Sequence, residues 1–186
     1  LVLTPNSSTT NPIKKNVGDL IPLDIAINPG NNLVTFVRFQ IKYDPTKVIP
    51  AITSPFSPNT VAFPLIVEGP VSNTDTIAAS VSVGSDPTKT IQKPTTVGTL
   101  NFKAIGGTGN TPTQITFTTL TQVLSAGPSE QASENVLSST TPAIITINDP
   151  SGTPSASITP EPTGNSTTLE INLLLHGIGA AGDNPH

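Results

Sequence analysis

Residues Leu33–Ile49 read LVTFVRFQIKYDPTKVI. Val37, Phe39, Ile41 and Tyr43 fall at every second position, with Arg38, Gln40 and Lys42 between them. Successive side chains of an extended chain point to opposite faces, so this run predicts a strand with one buried apolar face and one polar face. The strand also carries its own stop. The Asp44 side chain can cap a turn, and Pro45 has no N–H with which to continue a ladder, so Asp44 and Pro45 are the candidate structural turn.

The same period of two recurs on both sides of this run. Ile21, Leu23, Ile25 and Ile27 alternate in LIPLDIAIN, ahead of a PGNN turn. Val61, Phe63, Leu65 and Val67 alternate in NTVAFPLIV, and Ile77, Ala79, Val81 and Val83 in DTIAASVSVG. Leu100, Phe102 and Ala104 do so in VGTLNFKAIG, and TQITFTTLTQVLS and PAIITIND close the series. These seven or eight short runs, separated by Pro, Gly, Asn and Asp, predict an all-β antiparallel sandwich over residues 12–148. No segment has the period of a helix.

The 186 residues suffice for one domain plus appendages. The chain has no Cys, Met or Trp, one Tyr, 20 Pro and 11% charged residues, and Ser and Thr make up about a quarter of it. Cysteine-ligated zinc, disulfides and thiol chemistry are therefore excluded. The formal net charge is −4 and Lys14–Lys15 is the only adjacent basic pair, so no basic patch exists to neutralise a phosphate backbone. No apolar stretch approaches the ~18 residues a membrane-spanning helix needs. The start at Leu1 suggests a processed or excised piece lacking its targeting signal.

Residues 1–11 (LVLTPNSSTTN) read as a Pro/Ser/Thr leader or linker. Residues 149–168 (DPSGTPSASITPEPTGNSTT) read as a tether that cannot bury a core, with a reach of roughly 60 Å at ~3.1 Å per residue when extended. Residues 169–186 resume alternation with Leu169, Ile171, Leu173 and Leu175, then enter a Gly-rich turn. A lone strand cannot bury such a face by itself. This segment is thus the start of a further domain, a strand that folds back onto its own sandwich, or an intermolecular strand that enters a neighbour's sheet.

Two stretches carry a family resemblance. Val17-Gly18-Asp19 opening a strand, followed by FVRFQIKYDPTKV, and the later VGTLNFKAIG resemble, in order and spacing, the cohesin modules of bacterial extracellular proteins. The resemblance implies a jelly-roll sandwich, related in fold to carbohydrate-binding modules, that binds calcium-containing dockerin modules. Calcium would then come with the partner, since nothing here forms a dockerin calcium loop, and no other cofactor is expected.

The residues themselves give little sign of catalysis. LLLHGIGAAGDN (residues 173–184) has the His-Gly-x-Gly of an oxyanion-hole loop, yet no Gly-x-Ser-x-Gly elbow occurs and only ten residues follow His176. Asp19, Asp24 and Asp44 read as turn caps and solvated faces rather than a Ca²⁺ cage, and nothing pairs any two of Glu68, Asp75, Glu130 and Glu134. Sugar-stacking faces rely on exposed Trp and Tyr, while here Tyr43, Phe39, Phe63, Phe102 and Phe117 have inward parity, leaving Phe36 and Phe56 aside. Asn6 and Asn165 sit in acceptor patterns for N-glycans.

The leading expectation is a non-enzymatic, extracellular or cell-surface adhesion and scaffolding module that binds a protein partner through a sheet face. A filament or surface-layer subunit, self-associating through the C-terminal strand, is the alternative. A polysaccharide-binding module comes third.

Overall fold

The computed structural model describes residues 1–84, 86, 88–126 and 133–150. Within them the apolar alternation resolves into strands, and no helix occurs among the described residues. In order these are β1 (Val2–Thr4), β2 (Ile13–Asn16), β3 (Leu20–Ile27), β4 (Val34–Lys42), β5 (Val48–Pro50), β6 (Phe56–Pro58) and β7 (Leu65–Ser72). There follow β8 (Thr76–Ser82), β9 (Thr95–Ala104), β10 (Thr113–Phe117), β11 (Gln122–Ser125), β12 (Glu134–Asn135) and β13 (Ala143–Asn148). The segment read as a tether lies outside the described residues from residue 151 on, as do Leu169, Ile171, Leu173 and Leu175.

Two sheets form the sandwich. One runs β1-β3-β9-β5, with β6 also on β9. In the other, β4 takes β8 along one edge, and β10 and β11 end to end along its other edge. That sheet continues through β7 beyond β8, and through β13 and the parallel β2 beyond β10. The inward rows match the alternation: Ile21, Leu23 and Ile25 of β3, Val37, Phe39 and Ile41 of β4, Ile77, Ala79 and Val81 of β8, and Leu100 and Phe102 of β9 are all fully buried. Two edge-to-face ring contacts join the sheets, Phe39 with Phe56 at 4.8 Å between centroids and Tyr43 with Phe102 at 5.2 Å.

One glycine is required by this packing and another by its backbone conformation. Gly98 lies where β6 crosses onto β9, and a Cβ there would stand 2.6 Å from the Ser57 carbonyl and 2.5 Å from the Phe56 ring. Gly18 turns the chain at φ +97°, which side chains disfavour, and its N–H donates to Ala104 O at 2.9 Å.

The structure corrects two expectations. Residues 1–11 are not a linker throughout, because β1 pairs antiparallel with β3 (Leu3 opposite Ile25), and Leu1 and Leu3 are buried. Leu3 N–H donates to Thr141 O at 3.1 Å, and Thr141 N–H donates to Leu1 O at 2.9 Å. Two leucines two positions apart suffice to bury one face of this short edge strand, although three residues are too few to show a period. Nor does NTVAFPLIV run as one strand. Asn59 Oδ1 accepts from Ala62 N–H at 3.2 Å and Asn59 O from Phe63 N–H at 2.8 Å, so the side-chain cap curls the chain. Phe63 alone points inward, whereas Val61 is 95% exposed and β7 begins only after Pro64.

These corrections are separable by mutation. Leu3→Ala should destabilise by about 2–5 kcal/mol, as deletion of a buried leucine does, whereas Val61→Ser should stay within about 0.5 kcal/mol. Guanidinium denaturation of both variants measures the difference.

Candidate interaction surface

The outward face of the β7-β8-β4-β11 half of the sandwich is set by cross-strand register, since residues opposite one another in an antiparallel pair share a face. One row across it reads Leu65, Ser82, Phe36, Leu124. The next reads Glu68, Ser80, Arg38, Gln122, and a third Val71, Ala78, Gln40. Lys42 lies between Thr76 and Thr116 in the last. The β8 residues of the inner three rows are the small Ser82, Ser80 and Ala78, so β8 forms a low floor between the longer side chains of β7 and β4. Ser80 and Ala78 are buried beneath those flanks.

The middle row is electrostatically tied. Ser80 Oγ donates to Glu68 Oε2 at 3.2 Å, and the Arg38 guanidinium lies 3.9 Å from the same oxygen. Lys42 and Asp75 stand 3.7 Å apart at the end of the face. Pairs as exposed as these contribute little to stability and serve to orient the side chains. Around them the face presents apolar surface: Leu65 is 52% exposed and Val71 48%, and Phe36 is half-buried. The opposite sheet presents a more polar exterior, in which Leu20 is flanked by Lys103, Pro22 lies opposite Asn101, and Thr99 donates its hydroxyl to Asp24.

A four-residue interruption, Thr118–Thr121, separates β10 from β11 opposite Gln40. Thr118 N–H donates to Gln40 O at 2.8 Å, while the Thr121 hydroxyl accepts from Gln40 N–H at 3.1 Å and donates to Gln40 O at 3.2 Å. Side-chain oxygens thus complete the ladder where main chain departs from it, and Thr118 Oγ1 donates to Gln40 Oε1 at 2.8 Å to fix that side chain on the face.

The residues singled out from sequence fall in separate places. Asp44 Oδ1 accepts from Thr46 N–H at 2.8 Å and from its hydroxyl at 2.7 Å, with Pro45 in the same turn. Asp19 Oδ2 accepts from Asn16 N–H at 2.8 Å, and Asp24 is engaged by Thr99. Among the described residues no three His, Cys, Asp or Glu side chains gather as a metal site would require. Glu68 and Asp75 pair with cations and Glu134 is exposed on β12, while Glu130 lies outside the described residues. Phe56 is core, and Tyr43, buried with its hydroxyl donating to Asn73 O at 3.1 Å, offers no stacking face. A hollow of about 680 Å³ at the end of β4 is lined by threonines, Lys42 and Lys47.

The turn at Asp44 recurs in sequence and in structure. Asp-Pro-Thr-Lys occupies 44–47 and again 86–89, and Asp86 Oδ1 accepts from Thr88 N–H at 2.9 Å and its hydroxyl at 2.7 Å. In each turn the threonine hydroxyl, then its N–H, holds the aspartate below the ordinary carboxylate range, with Lys47 and Lys89 adding to the effect. Burial, then the charge of Asp75, pushes the Tyr43 phenol upward.

No protein-family model matches the chain, and no curated protein matches it. Solved structures do. The seventh ScaB type I cohesin of Pseudobacteroides cellulosolvens superimposes at a TM-score of 0.60 with 13% identity, over 80% of this chain and 90% of that one. CaCohA2 of Clostridium acetobutylicum gives 0.58 with 15% identity, over 78% and 89%. The third cohesin of ScaC from Acetivibrio cellulolyticus, solved in complex with the ScaB dockerin, gives 0.56 with 16% identity, over 73% and 94%. The chain has the cohesin-like fold, an all-β jelly-roll sandwich.

The two aspartate turns predict a pH dependence. A carboxyl held low in the folded state stabilises above its unfolded pKa, and that contribution is lost as pH falls through the folded value. Thermal stability should therefore decline from about pH 4 downward. The Asp44→Asn, Asp86→Asn double variant keeps a capping amide without the titration, so its melting temperature should fall less steeply between about pH 5 and pH 2.5.

Proposed function

We propose that this protein is a non-catalytic recognition module of the cell exterior, which binds a protein partner through the outward face of β7, β8, β4 and β11. The observation that carries this reading is the composition of that face: apolar Leu65, Val71, Phe36 and Leu124 surround a floor of small side chains, with one oriented ion pair at the centre. A groove floored by Ser and Ala and flanked by longer residues accepts the apolar stripe of a helix, and the Arg38–Glu68 pair sets its register. The partner class is the dockerin, on the strength of the fold and of a neighbour solved with one. Calcium belongs to that partner, whose loops would need it to fold.

Placement outside the cell rests on the same fold likeness and on a chain rich in Ser, Thr and Pro. Ionic contacts at the centre of a desolvated interface carry orientation, while the apolar row carries most of the affinity.

Titration of the chain with a panel of calcium-loaded dockerin modules by calorimetry tests the reading. A 1:1 complex that disappears on chelation is expected. Val71→Lys should weaken it at least ~10-fold, or about 1.4 kcal/mol, and Lys103→Glu on the opposite sheet should leave it unchanged. Binding that tolerates Val71→Lys but not Lys103→Glu places the site on the wrong sheet, and no binding by any dockerin rejects the partner class.

A further inference from the structure

The face just described does not account for all of the exposed apolar surface of β7. Leu65, Ile66 and Val67 are consecutive and 52%, 52% and 59% exposed. Leu65 lies opposite Ser82 and shares the outward face, but Ile66 lies opposite Val81, whose side chain points into the core. Ile66 therefore projects on the inward side of the sheet, past the rim of the sandwich. A partner seated flat on the outward face covers Leu65 and leaves Ile66 in water. A strand lying beside it in the plane of the sheet shields both sides together and pairs the edge as well.

That edge is open. Among the described residues β7 pairs with β8 alone, so its other side presents unpaired main-chain groups. Edge strands are ordinarily protected by prolines, charges and bulges, and β7 has these in its second half: a register shift between Glu68 and Val71, with Gly69 and Pro70 inside it. The first half has one irregularity of its own, at Val67 between Ile66 and Glu68, but no proline or glycine. Pro64 marks one limit and Gly69-Pro70 the other, leaving Leu65–Glu68 as an accessible edge with three apolar residues out of four.

We propose that β7 is a self-association edge, joining two copies of this chain through an antiparallel pair of β7 strands about a twofold axis between Ile66 and Val67. This register fits the residues. It sets Leu65 against Glu68 of the second copy, outward against outward, and Ile66 against Val67, the extra residue of the bulge. A twofold contact requires a self-complementary patch. Here Ile66 and Val67 meet each other at the axis, Leu65 lies beside the aliphatic stem of Glu68, and that one carboxylate is already tied to Arg38 and Ser80 of its own sheet, so the two copies do not repel. The pair extends the larger sheet of each copy into one continuous sheet and leaves the outward rows on β8, β4 and β11 exposed. It rests on the exposed edge and not on the dockerin reading, and each stands or falls alone.

Sedimentation of the full chain from about 1 µM to about 1 mM should show a reversible monomer–dimer equilibrium. Ile66→Lys and Val67→Lys each place like charges at the twofold centre and should weaken the dimer at least tenfold, with the thermal melt confirming an intact fold. Lys103→Glu should not change it. Because the chain has no cysteine, L65C and E68C copies mixed under mild oxidation should give a disulfide-linked dimer in preference to either alone. A monomer at every concentration overturns the proposal. So does a dimer that survives both lysine variants, or one abolished instead by Leu173→Lys, which would make the C-terminal apolar segment the occupant. Dimerisation without dockerin binding, or the reverse, separates this inference from the preceding one.

Discussion

The sandwich is held by what β4 and the residue that follows it send inward. Phe39 and Tyr43, two turns of the pleat apart, meet Phe56 and Phe102 of the opposite sheet edge to face, and Val37 and Ile41 fill the space around them. Large rings fix the separation of the sheets and remove more apolar area from water than any other side chains in this core. Gly98 belongs to the same contact. Without a side chain there, β6 can close on β9 and bring Phe56 beneath Phe39. Replacing that glycine by any other residue would force the Ser57 carbonyl away and separate the rings.

With the inward face of β4 committed, its outward face is free to vary. Arg38, Gln40 and Lys42 project there because the intervening residues are buried, and each is steadied by a neighbour: Glu68 for Arg38, Thr118 for Gln40, Asp75 for Lys42. The core thus positions the surface through strict alternation, and two short connections, at Asp75 and Thr118, steady it. A rigid sheet face preorganises its side chains and lowers the ordering cost on binding. The hydroxyls of the Thr118–Thr121 interruption keep that rigidity where the ladder is broken, and no buried side-chain polar atom among the described residues lacks a partner.

β7 differs from every other long strand. Its side chains are exposed almost throughout, so its place in the sheet comes from main-chain pairing with β8 and little from burial. Register is weakly specified where neither face is buried, and the two irregularities along β7 are consistent with that. Such a strand is suited to contacts made after folding, because its apolar residues are not consumed by the fold.

Periodicity by itself determined the strands whose one face is core: Ile21 to Ile27, Val37 to Tyr43, Ile77 to Val83 and Leu100 to Ala104 all lie as alternation requires, because burial of one face leaves a period of two in the sequence. The Asp44–Pro45 turn was legible for a local reason, since the aspartate acts on a residue two positions away. Only the tertiary structure decided the rest. Leu1 and Leu3 enter the core because β3 has an edge to receive them, and Val61 leaves it because Asn59 turns the chain first. The outward rows were also hidden, since Glu68, Ser80, Arg38 and Gln122 are separated in sequence and become neighbours through cross-strand register. Alternation tells which side of its own strand a residue faces; which residues of other strands stand beside it is set by pairing, and pairing is a property of the folded sheet.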